Sequence, residues 1–107
     1  MGRRYRVVVS PQAAQALDEQ VAWIARTDES SAMKFLGEFR AAAESLETFP
    51  LRRRFLDDAY LPRNKYRALL FWKHHLIIYQ VRDDVVYIEL VVDCHQDYAW
   101  LLRGVDA

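Results

Sequence analysis

The chain has 107 residues, 52% of them hydrophobic and 13% aromatic, enough apolar material for one small core and too little length for a second domain. Its 15 basic and 15 acidic side chains cancel, which excludes a protein that holds polyanions by bulk charge alone, so direct nucleic-acid binding is not expected. Cys94 is the single cysteine and can form no internal disulfide, and no apolar run is long enough to span a bilayer or make a leader; the expectation is one cytoplasmic domain over residues 1–107.

Residues 5–9 read as a short β-branched strand that Ser10-Pro11 stops. Ser10 can cap a following helix, with Pro11 at its first position, where a missing N–H costs nothing. Over residues 12–26, Ala13, Leu17, Val21 and Ile24 recur at helical spacing, with Trp23 as a further core candidate. After a polar break at Thr27-Asp28-Glu29-Ser30, a second helix spans about residues 31–48 on Met33, Phe35, Leu36, Phe39, Ala43 and Leu46. Pro50 closes it. So short a break folds the two helices into an antiparallel hairpin. Residues 66–72, 75–82 and 85–92 then read as three strands joined by two-residue loops at Lys73-His74 and Asp83-Asp84. Residues 97–103 add a helical turn or two. The order is βααβββ, an α+β fold with the helical hairpin on one face of a mainly antiparallel sheet.

Two-residue loops fix the register, and alternation sorts the strands into two faces. Leu70, Trp72, Ile77, Tyr79, Val81, Val86, Ile88, Leu90 and Val92 face the helices, and His75 lies on that side. The opposite face collects Arg67, Leu69, Phe71, Leu76, Ile78, Gln80, Val85, Tyr87, Glu89 and Val91. Its apolar half has no further chain to cover it, so a partner is expected there. In this register Arg67 stands opposite Gln80 and Gln80 opposite Tyr87, a polar row suited to a carboxylate on a partner.

The ordered pieces resemble the ParE/RelE toxin superfamily from about Tyr5 to Leu102. Val9-Ser10-Pro11-Gln12-Ala13-Ala14-Gln15-Ala16-Leu17-Asp18-Glu19 with Val21-Ala22-Trp23-Ile24 looks like its opening strand and first helix. Residues 32–50 look like its second helix, and Tyr66-Arg67, His74-His75-Leu76-Ile77-Ile78-Tyr79 and residues 85–92 with Asp97 look like its sheet. The resemblance implies a toxin neutralised by an antitoxin that wraps it, in keeping with the uncovered face. One branch cleaves messenger RNA on the ribosome and the other is associated with inhibition of DNA gyrase. Matched to the RNA-cleaving pattern, Arg67 holds one basic position, but Leu69, Leu76 and Gln96 replace three others. The histidine doublet before an aliphatic run and Tyr79 fits the ParE-like branch, so a non-enzymatic gyrase inhibitor of the plasmid-stabilisation type is the preferred reading.

Two alternatives stand beside it. A divergent endoribonuclease would use Arg67 with His75 or His95, since a neutral imidazole can act as base near neutral pH. The ending Asp93-Cys94-His95-Gln96-Asp97, where many members carry a His and then arginines, instead suits an attenuated toxin that only binds its antitoxin. The expected partner surface is Arg67, Leu69, Phe71, Leu76, Ile78, Gln80, Tyr87 and Trp100, with homo- or hetero-oligomers following from it. Neither cofactor nor metal is expected, because no glycine-rich loop exists and the adjacent His74-His75 lack spaced ligand pairs. Arg52-Arg53-Arg54 reads as a solvated charge run, and Asp57-Asp58 and Asp83-Asp84 as turns.

Overall fold

The computed structural model describes residues 4–57, 61–94, 99, 101 and 102. The order is β1 (Arg6–Val9), α1 (Pro11–Ala25), α2 (Glu29–Ser45), a 3-10 turn at Pro50–Arg52, β2 (Arg67–Phe71), β3 (His75–Arg82) and β4 (Val85–Asp93). The strands form one sheet in the order β1-β4-β3-β2, antiparallel except that β1 joins β4 in parallel. The expected α+β arrangement is thus the observed one, and Ala99, Leu101 and Leu102 are helical as the last expected element requires.

Local chemistry explains both helix starts. Ser10 Oγ accepts the Ala13 N–H at 3.0 Å ahead of Pro11. Asp28 accepts the Ser30 N–H at 3.0 Å and the Ser31 hydroxyl at 2.8 Å, so α2 begins at Glu29, two residues earlier than its apolar pattern suggests. Those bonds hold the Asp28 carboxyl below its usual pKa, Ser31 contributing most. Ala13, Leu17, Phe35, Phe39 and Leu46 pack on Leu69, Phe71, Ile77, Tyr79, Val86, Ile88 and Val91 to form the main core. Trp23 and Met33 are not part of it: they stand off the buried stripe of their helices and are 69% and 66% exposed.

Three features change the expected faces. Phe71 pairs with His75, so the first hairpin loop is Trp72-Lys73-His74, with Trp72 and Lys73 left-handed at φ 39° and 70°. The longer loop slips β2 by one position and turns every β2 side chain over. Leu69 and Phe71 therefore enter the helix-side core, while Leu70 is left 58% exposed. The second loop is the two-residue Asp83-Asp84 turn expected, with Arg82 opposite Val85 and Asp83 at φ 56°. Further along, Tyr79 pairs with Ile88 but Ile78 with Leu90, so Glu89 is the extra residue of a β-bulge. Past it, Val91 turns to the helices and Leu90 and Val92 turn away.

The second face is also not open. Leu61, Tyr66, Ala99 and Leu102 cover Ile78, Leu90 and Val92, with Leu56, Leu76 and Leu101 at the margin. This corrects the expectation of an exposed patch of Leu69, Phe71, Leu76 and Ile78: Ile78 is fully buried, Leu69 and Phe71 lie in the core, and Leu76 is half-buried. The cover comes from the loop before β2 and the helical turn after β4, whose few apolar residues are scattered. No helix among the described residues is long and apolar enough to cross a membrane.

Candidate functional site

What lies exposed is a ledge at the outer edge of the sheet, where β2 has only one neighbouring strand. The chain leaves α2 through Phe49-Pro50 and turns at Pro50–Arg52. Pro50 is buried and its carbonyl accepts the hydroxyl of fully buried Tyr79 at 2.6 Å, which anchors the turn to β3. Burial pushes the Tyr79 phenol up to about 12, against the opposing fields of Arg67 and Arg53. Side chains around this anchor point outward: Phe49 is 60% and Leu51 53% exposed, and Arg52, Arg53, Arg54 and Phe55 are exposed with them. The Arg52 guanidinium lies 5.4 Å from the centre of the Phe49 ring, and that of Arg67 lies 3.8 Å from the centre of the Phe55 ring. Arg67 also donates to the Arg53 carbonyl, and its backbone bridges to Phe55. The Arg52 and Arg67 guanidinium groups are thus each held against a ring, while Arg53 and Arg54 are exposed as a solvated run would be. Sequence reasoning missed Phe49, Leu51 and Phe55. The only signal was compositional: Phe49, Leu51 and Phe55 flank Arg52-Arg53-Arg54 on both sides.

The expected polar row is only partly assembled. Gln80 faces Tyr87, but the slip of β2 puts Arg67 opposite Tyr79. Gln80 is nearly buried and donates to Glu89 Oε2 at 2.6 Å, while the Arg82 guanidinium lies 4.7 Å from the centre of the half-buried Tyr87 ring. Leu69, Phe71 and Ile78 are occupied within the protein and present no surface. Trp100 and His95 lie outside the described residues.

His75 stands at the other end of the sheet. Arg67 pairs with Tyr79 and Phe71 with His75, so four residues at about 3.3 Å each separate them along the strands, roughly 13 Å. As expected, His75 lies on the helix side, its ring centre 4.9 Å from that of Phe35 and 5.9 Å from that of Phe71. Burial pushes its pKa below the ordinary value, partly offset by the Trp72 carbonyl 3.3 Å from Nδ1. His74 stacks on His75 with ring centres 5.0 Å apart, and its Nε2 lies 2.9 Å from Asp93 Oδ2. Arg67 and His75 therefore cannot act on one phosphodiester together.

Known proteins agree with this layout. Residues 7–98 match the family described as the ParE toxin of the type II toxin–antitoxin system, parDE. Among solved structures, the fold is similar to a chain of the chromosomal ParDE toxin–antitoxin system from P. aeruginosa, at 13% identity and a TM-score of 0.68, over 84% of this chain and 96% of that one. No curated protein matches in sequence. With the family match running from the second residue of β1 through both helices and the other three strands, this chain belongs to the ParE toxin family of type II toxin–antitoxin systems.

Proposed function

We propose that this chain inhibits growth by binding rather than by catalysis, with DNA gyrase as its target in the cytoplasm, and that a cognate antitoxin neutralises it. The observation that carries the reading is the ledge. Phe49, Leu51 and Phe55 are exposed among Arg52, Arg53, Arg54 and Arg67, a combination of apolar anchors and forked donors suited to an acidic peptide segment with apolar side chains. The expected partner face on Leu69, Phe71 and Ile78 gives way to this surface, while Arg67 keeps its place in it. An endoribonuclease would need a base beside converging cations, and His75 does not stand beside Arg67.

The test pairs two measurements. Purified toxin should inhibit supercoiling by gyrase, and primer extension on translated messages from induced cells should show no codon-phased cuts. Calorimetry of Arg53→Glu against the cognate antitoxin should show affinity weakened by roughly 1–3 kcal/mol, the cost of an interfacial charge pair. Phased cuts abolished by Arg67→Ala would replace this reading with the endoribonuclease. Unchanged antitoxin affinity would remove the ledge from the antitoxin interface.

A further inference from the structure

At the end of the sheet away from the ledge, three metal-competent side chains converge although they are not spaced as a motif. Two adjacent histidines on an extended strand would point to opposite faces. Here His74 closes the three-residue loop and His75 opens β3, and the left-handed turn at Trp72 and Lys73 brings both rings to one side, stacked with centres 5.0 Å apart. Asp93 is the cross-strand partner of His75 at the end of β4. A ring nitrogen of each histidine and a carboxylate oxygen of Asp93 all lie within 4.8 Å of one another.

We propose that His74, His75 and Asp93 form a zinc-binding site. Ligand atoms at about 2.0–2.2 Å from a tetrahedral zinc ion lie roughly 3.3–3.6 Å apart. His74 Nε2 and Asp93 Oδ2, now 2.9 Å apart, need only open slightly to admit the ion. Both side chains are partly exposed, 46% and 33%, and His74 must turn out of its stack on His75 for the in-plane lone pairs of the two rings to meet at one ion.

His75 is the preset member. The Trp72 carbonyl lies 3.3 Å from its Nδ1 and can only accept, so the tautomer that carries the proton on Nδ1 would satisfy it and leave the Nε2 lone pair for the ion. Packing against Phe35 and Trp72 fixes the ring plane. Two imidazoles and one carboxylate leave a fourth position for water, a donor set that zinc accepts readily. Once bound, the ion would tie the β2–β3 loop to the end of β4.

The test is a zinc titration of the full, untagged chain, stripped beforehand with chelator and followed by competition with a chromogenic chelator. One ion should bind per chain. His74→Ala and Asp93→Asn, both at the surface and compatible with the fold, should each weaken binding roughly tenfold or more, and Cys94→Ser should leave it unchanged. The melting temperature of the wild type should rise with zinc, and that of the two variants should rise less. Absence of saturable binding by the wild type would overturn the proposal. So would binding that survives both His74→Ala and Asp93→Asn, or that is lost with Cys94→Ser, since the ion would then sit elsewhere.

Discussion

Replacing Tyr79 with phenylalanine isolates the bond that holds the arginine ledge to the sheet. The ring is fully buried in the main core and Phe retains its packing, so the change removes the hydroxyl alone. That hydroxyl donates to the Pro50 carbonyl at 2.6 Å. Without it the carbonyl faces an apolar ring in a site closed to water, and leaving one member of a buried pair unsatisfied costs about 1–3 kcal/mol. For a domain near this size, about 1 kcal/mol corresponds to roughly 4–8 °C in melting temperature. A fall on the order of 8 °C is therefore expected for Tyr79→Phe, with an unchanged far-ultraviolet spectrum. The loss should also be local. Amide exchange at Arg52, whose N–H bonds Phe49 O at 3.4 Å within the turn, should accelerate more than exchange in β4. Unchanged melting together with unchanged exchange at Arg52 would refute the view that Tyr79 positions the ledge.

Three further outcomes follow from the packing. Leu102→Ala should destabilise by about 2–5 kcal/mol, because a fully buried leucine leaves a cavity over the second face; chemical denaturation measures it, and a loss below about 0.5 kcal/mol would mean that the turn after β4 does not cover the sheet. Ser10→Ala should cost about 1–2 kcal/mol, since the hydroxyl both caps α1 and donates to the Glu89 carbonyl at 3.1 Å; a neutral result in the same assay would dismiss both bonds. On the alkaline side the phenol of Tyr79 is raised from 10.0 to about 12, so its folded state favours the neutral form. Its contribution is fully present below pH 10 and is lost as pH rises through about 12. Alkaline unfolding followed by phenolate absorbance should lose that component in Tyr79→Phe, and identical profiles would contradict the assignment.

The element order was legible because its signals are local: Ser10-Pro11 and Asp28 mark the helix starts, and the apolar period changes from helical to alternating after residue 65, although α2 stops at Ser45, short of the expected residue 48 and of Pro50. The faces were not. The first hairpin places Trp72 and Lys73 in left-handed conformations with no glycine to advertise the extra loop residue, and one residue is enough to exchange Leu70 for Leu69 in the core. Glu89 is hidden in a run of β-branched residues that reads as an unbroken strand. The cover of the second face draws on Leu61 and Tyr66, which lack periodicity because they belong to a loop. The candidate site inherits these limits. Arg67 was legible as a basic strand residue, but its neighbours depend on register, and so does the meeting of Asp93 with the histidine doublet. Phe49, Leu51 and Phe55 escaped notice because apolar residues flanking a charge run carry no spacing rule.

The bulge at Glu89 also sets which changes in chain length the domain can tolerate. Its extra carbonyl accepts from Ser10, the neighbouring Ile88 carbonyl accepts the Ser10 N–H at 2.9 Å, and its carboxylate accepts from Gln80. The offset in β4 is thereby fastened to the point where β1 hands over to α1. Substitution of Glu89 leaves the residue count intact, whereas deletion would exchange the assignments beyond it: Leu90 and Val92 toward the helices, Val91 toward the loop and terminal turn. Both cores would be misfilled at once, and the start of α1 would lose its acceptor. Over generations β4 can be edited only letter for letter.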